Sequence, residues 1–120
     1  MDNKIKSKAF FFGKEEKIYP AGEGITRQII AYDNNIMMVK VMFTSGAIGT
    51  PHTHPHSQTT YVVSGKFEAT IGNEKKVLTT GDGFYVDPDA LHGCVCIEEG
   101  ILIDVFTPIR EDFYKEIIDK

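Results

Sequence analysis

His52, His54 and His56 fall within one five-residue stretch, and His92 is the only other histidine in the chain. Imidazole is the side chain proteins use most often to hold a metal, so this gathering points to a metal site. In an extended strand, side chains at i and i+2 leave the same face, which would let His52 and His54 reach one ion. Gln58 follows at a distance from which a third donor can converge. His92 has to arrive from a separate strand, as a closed or folded-over sheet allows.

The elements that must position these residues are short strands punctuated by turn residues. Gly24 to Tyr32 and Ile36 to Phe43 flank Asp33-Asn34-Asn35, a hairpin with a turn rich in Asp and Asn. After Gly46, Gly49 and Pro51 comes the histidine strand. Thr59 to Val63 then leads to a predicted turn at Ser64-Gly65, with Lys66 to Ile71 beyond it. Gly72-Asn73 reads as a two-residue hairpin loop before Lys75 to Thr79. Gly81-Asp82-Gly83 leads into Phe84 to Val86, and Asp87-Pro88-Asp89 turns again. Strands at Cys94 to Ile97 and Ile101 to Phe106 complete the pattern. Turn signals every eight to twelve residues predict an all-β sandwich or small barrel. Only the tail differs: Thr107-Pro108 reads as a cap and first helical position. Phe113, Tyr114, Ile117 and Ile118 have helical spacing within Glu111 to Lys120, so a short C-terminal helix packs on the outside.

Composition limits the partners. The 120 residues are 42% hydrophobic and 25% charged, with a formal net charge of -4 and no Lys/Arg cluster. Nucleic acid and anionic membrane surfaces are therefore unsuitable partners. No apolar run approaches membrane-spanning length, and Ala9 to Phe12 is too short for a signal-peptide core, so a cytoplasmic location is expected. Cys94 and Cys96 would share a strand face, too close along one strand for a disulfide; they read as reduced, buried apolar residues. One of them could instead lie near the metal, each following His92 by an even number of residues. With no linker or repeat, one domain over residues 1–120 is expected.

The spacing Gly46, His52-x-His54, Gln58, Gly65, then Gly81-Asp82, Pro88 and His92, resembles the two sequence motifs of the cupin superfamily. The resemblance covers roughly residues 36 to 108. Gln58 stands where glutamate is usual, Asp87 where proline is usual, Asp89 where glycine is usual, and Cys96 where asparagine often sits. The likeness implies a small double-stranded β-helix barrel, jelly-roll-like, with a divalent ion held by His52, His54, Gln58 and His92. His56 falls at a position the motif does not use, and is expected behind the ligands or facing solvent. Three imidazoles and an amide are all neutral, so the ion would keep its full charge. That suits Lewis-acid or proton-transfer chemistry better than oxygen activation, and leaves nickel, zinc, manganese or iron open.

Downstream, Asp104-x-Phe106-x-Pro108-x-Arg110 follows the histidine motif. Asp104 and Phe106 share a strand face, and Arg110 follows the proline turn. Together with Gln58 this pattern resembles the small cupins of pectin and alginate breakdown that ketonise 4,5-unsaturated uronates. The likeness implies functional roles for Asp104, Phe106 and Arg110. A planar guanidinium at Arg110 would clamp the sugar carboxylate, Asp104 would shuttle protons, and Phe106 would form an apolar wall. Arg27, alternating with Ile25 and Ile29, reads more readily as a surface residue than as an extra anion contact. The implied substrate is a small anionic sugar. A non-catalytic sugar-binding cupin, a dioxygenase and a sugar isomerase remain as alternatives. The apolar segment Ala9 to Phe12 could cross to a second copy, which predicts a homodimer.

Overall fold

In a computed structural model, residues 4–118 are described. Eight strands precede one helix: β1 (Tyr19–Gly22), β2 (Ile25–Asp33), β3 (Ile36–Phe43), β4 (Ile48–His52), β5 (Ser57–Ile71), β6 (Glu74–Thr79), β7 (Gly83–Val86), β8 (His92–Thr107) and α1 (Glu111–Ile118). The strands follow the order β1-β2-β3-β8-β5-β6, with β4 pairing β8 and β7 pairing β5. The ladder does not return to its start, so the protein is one folded-over antiparallel sheet rather than a closed ring.

The two hairpins come from the turn residues noted above. Asp33 Oδ1 accepts bonds from the amides of Asn35 (2.7 Å) and Ile36 (3.1 Å), which closes the β2–β3 turn. Gly72 takes φ 58° between β5 and β6, as a two-residue hairpin loop requires.

Ser64-Gly65 is not a turn. Residues 57–71 form one strand, and the segments around Cys94 and Ile101 likewise join into the single strand β8. β5 and β8 pair from Ser57↔Thr107 to Ile71↔His92, with irregular register between Val62 and Phe67. Gly65 bends there with φ 90°, and a Cβ on it would stand 2.5 Å from the Gly100 Cα. Two glycines thus let the two long strands fold over together.

Apolar side chains fill the space between the layers as two clusters. Ile25, Phe43, Val62, Phe67, Cys96 and Leu102 form one. Met37, Val39, Phe106 and Ile109 form the other, with Phe113 and Tyr114 of α1 packed against it. Burying a phenyl as completely as Phe67 or Phe106 contributes about 2–3 kcal/mol. The helix begins at Glu111, so Pro108, which follows a cis bond, lies in the connection and not at the first helical position. Residues 119 and 120 of the expected helix lie outside the described residues. At the other end, the Gln28 amide donates to the carbonyls of Gly13 and Glu16, tying that segment over β2 and leaving Phe10 and Phe12 exposed.

Candidate metal centre

β4 ends at His52, which lies opposite His92, the first residue of β8. His54 is therefore not on the strand, as alternation suggested, but in the following loop. There it is buried while His52 is exposed. The loop turns it inward all the same: the rings of His52, His54 and His92 lie 4.4–5.4 Å apart, centroid to centroid. Among the described residues these three form a group that could hold a metal ion, with ligand atoms all within 4.8 Å of one another.

Backbone carbonyls orient two of the rings. The Nδ1 atoms of His52 and His92 lie 3.0 Å from the carbonyls of Thr50 and Ala90. A carbonyl only accepts, so each Nδ1 carries the proton and each Nε2 presents a lone pair. Among the described residues, His92 Nε2 is buried with no hydrogen-bond partner, an orphaned acceptor that a cation would satisfy. Burial, above all, pulls the His54 and His92 imidazoles below their ordinary range. They are therefore neutral at pH 7, the form that ligates.

Gln58 is the second residue of β5 and faces inward with Thr60, while Phe106 and Asp104 face them from β8. Its amide Nε2 donates to Thr60 Oγ1 (2.9 Å) and, at 3.5 Å, to Asp104 Oδ1; the Thr60 hydroxyl donates to that same oxygen at 2.7 Å. These bonds turn the amide oxygen toward His54 Nε2, 2.9 Å away. The amide oxygen only accepts, so this is a hydrogen bond from the Nε2–H; a cation would take that proton's place, since two ligand atoms at right angles, each ~2.1 Å from one ion, are also ~3.0 Å apart. The same network gives a physical reason for glutamine. A glutamate here would set a second carboxylate against Asp104.

Asp104 sits deep between the layers. Burial pushes its carboxyl up to about 6, although the Thr60 hydroxyl, the Arg110 charge and the Gln58 amide all pull the other way. Arg110 is buried, with its Nε and Nη2 on the two oxygens of Asp112 (3.1 and 2.8 Å) and its guanidinium over the rings of Phe113 (4.0 Å) and Phe106 (4.9 Å). Phe106 is 2% exposed and meets the His54 ring edge-on at 5.6 Å. A recess of about 150 Å³ is lined by His52, Gln58, His92, Asp104, Phe106 and Arg110, among others. It shares Arg27, His52, Arg110 and Phe113 with an outer groove of about 860 Å³.

A model of the cupin domain matches residues 39–106. The chain belongs to the cupin family. This cupin is 46% identical over 106 residues to pectin degradation protein KdgF of Dickeya dadantii (strain 3937), covering 87% of this chain and 96% of that one. Among solved structures, it is similar to an RmlC-like cupin from Shewanella frigidimarina, with 46% identity, TM-score 0.88, and 90% and 97% of the two chains covered. It also resembles KdgF from Halomonas sp., with 39% identity, TM-score 0.85, and 89% and 99% covered.

All seven residues singled out from the sequence come together in this cupin's mouth. His56 is close behind: its Nε2 lies 3.1 Å from the Ile109 carbonyl, next to Arg110. Cys94 faces the recess but is not among the grouped ligand atoms, and burial pushes its thiol up to about 12. Cys96 is buried in the core, and neither cysteine forms a disulfide. Two residues were missed or underrated. Thr60 lies two positions past Gln58, so strand alternation already put it on the same face. Arg27 is not a surface residue; it lines both the recess and the groove.

Proposed function

We propose that this cupin converts 4,5-unsaturated uronates released from pectin into linear 4-deoxy-5-keto uronates, with a divalent ion held by His52, His54, Gln58 and His92. The observation that carries the reading is the juxtaposition of the buried Asp104 carboxyl and the Arg110 guanidinium in the recess beside the three histidines. Kinship with a pectin degradation protein supports it.

The reaction is an isomerisation: the C1 hydroxyl loses its proton, the bond from C1 to the ring oxygen breaks, and C4 gains a proton. A carbonyl appears at C1 and another at C5, with no oxidant or reductant needed. Asp104, with its carboxyl near 6, is mostly ionised at neutral pH yet readily protonated, as a group that accepts one proton and returns another should be. Thr60 and Gln58 hold it in place. Arg110 binds the sugar carboxylate and offsets the negative charge that develops at the adjoining C5 oxygen. Phe106 walls the recess and keeps water from the ring. A bound divalent ion would act as a Lewis acid on sugar oxygens. The protein would act in the cytoplasm as a homodimer.

The test is incubation with 4,5-unsaturated galacturonate while the ultraviolet absorbance of the enol ether is followed. The wild type should remove it faster than the spontaneous reaction, and Asp104→Ala and Arg110→Ala should not. Tight binding without turnover would instead identify a sugar-binding protein, and oxygen uptake by iron-loaded protein a dioxygenase.

A further inference from the structure

Arg27 lies on β2, far from Arg110 in sequence, yet both guanidiniums flank one ring. The Arg27 Cζ is 3.9 Å from the Phe113 ring centroid, and the Arg110 Cζ is 4.0 Å from it. Both cations are therefore held against one ring, no more than about 8 Å apart. Each is steadied by a helix carboxylate. Glu116 Oε1 accepts from Arg27 Nε (3.3 Å) and Nη2 (3.0 Å), as Asp112 does from the same edge of Arg110. Among the described residues, these bonds use only the Nε–Nη2 edge and leave the Nη1 ends for another ligand.

The two ends of each pair are unequally placed. The arginine side chains are 17% and 10% exposed, against 31% for Glu116 and 61% for Asp112. The carboxylates thus stand on the rim and the guanidiniums point in, lining the recess with His52 and Asp104. Placing two mostly buried cations against one wall of a cavity suits an anionic ligand. A tether holding α1 to β2 would not need the guanidinium in the cavity.

We infer that Arg27 is a second substrate-binding guanidinium, set beside Arg110 at the Phe113 ring, for the carboxylate end of an anionic sugar. This rests on the reading of the recess as a uronate site. Arg27 contacts the sugar carboxylate through Nη1 and takes no part in proton transfer, so its loss falls on binding rather than on turnover.

The test compares Arg27→Met, Arg27→Lys and Glu116→Ala in metal-loaded protein, by steady-state kinetics on 4,5-unsaturated galacturonate and by calorimetric titration with saturated galacturonate. Losing a charge-assisted contact should raise KM, and the galacturonate Kd, about tenfold to a hundredfold in Arg27→Met. The lysine, which keeps charge but not the fork, should lose less. It carries the test if the methionine variant does not fold. Glu116→Ala breaks the tether while sparing the guanidinium, and should change KM less than about threefold. Equal losses in Arg27→Met and Glu116→Ala would reduce Arg27 to a tether, and an unchanged KM and Kd in Arg27→Met would also overturn the inference. If wild type does not turn over the unsaturated sugar, the ketonisation reading falls and the galacturonate Kd alone decides. No measurable galacturonate binding in that case overturns this inference as well.

Discussion

Asp104→Asn should remove the activity of the metal-loaded protein, and in metal-free protein it should raise stability at neutral pH. The carboxyl moves from its ordinary 3.8 in the unfolded chain to about 6 in the fold, chiefly through burial. Between those values the folded protein binds more protons than the unfolded one, so stability falls as pH rises through the window. With about 1.4 kcal/mol for each tenfold change in the protonation constant, the loss totals about 3 kcal/mol above pH 7. Asparagine keeps an acceptor for the Thr60 hydroxyl and carries no charge. The lowered imidazoles of His54 and His92 work in the opposite sense, costing stability as pH drops below their unfolded value near 6.5. They are common to both proteins and largely cancel in the difference. The assay is urea unfolding of chelator-treated wild type and variant from pH 4 to pH 8. The variant should gain on the wild type by about 2.4 kcal/mol from pH 4 to pH 7 and then level off. A difference independent of pH, or one that moves in favour of wild type as pH rises, would refute the burial argument.

Other outcomes follow from the same contacts. Gln58→Glu sets two carboxylates together, and should lower activity at least tenfold and cost about 2 kcal/mol at pH 7, a cost that fades below pH 5 on thermal unfolding. Gly65→Ala puts a Cβ into the Gly100 backbone at φ 90°, and should cost more than about 2 kcal/mol in urea unfolding. Cys94, with its thiol pushed up to about 12, should resist iodoacetamide at pH 8 in the native protein and react once unfolded, as read by mass spectrometry.

Much of this was legible because it is local. Asp33-Asn34-Asn35 and Gly72-Asn73 specify their hairpins by turn chemistry alone. Alternation put Asp104 and Phe106 on one inward face, and the same rule, not applied to Gln58, would have placed Thr60 beside it. Ser64-Gly65 misled because a glycine at positive φ serves a bend within a strand as well as a turn. What decided between them was Gly100, thirty-five residues away. His54 reaches the site from a loop and not a strand, so i, i+2 spacing gave the right partner for the wrong reason. The place of Arg27 was unreadable from β2 alone, since the cavity wall it joins is completed by Phe113 and Glu116 of α1.

The most direct measurement follows 4,5-unsaturated galacturonate by NMR with protein stripped by chelator and then reloaded with a single divalent ion. The stripped protein should leave the sugar to its spontaneous rate. Reloading should restore rapid formation of the 4-deoxy-5-keto product, and His92→Ala, lacking the orphaned Nε2, should not recover. Equal rates for stripped, reloaded and His92→Ala protein would contradict the account.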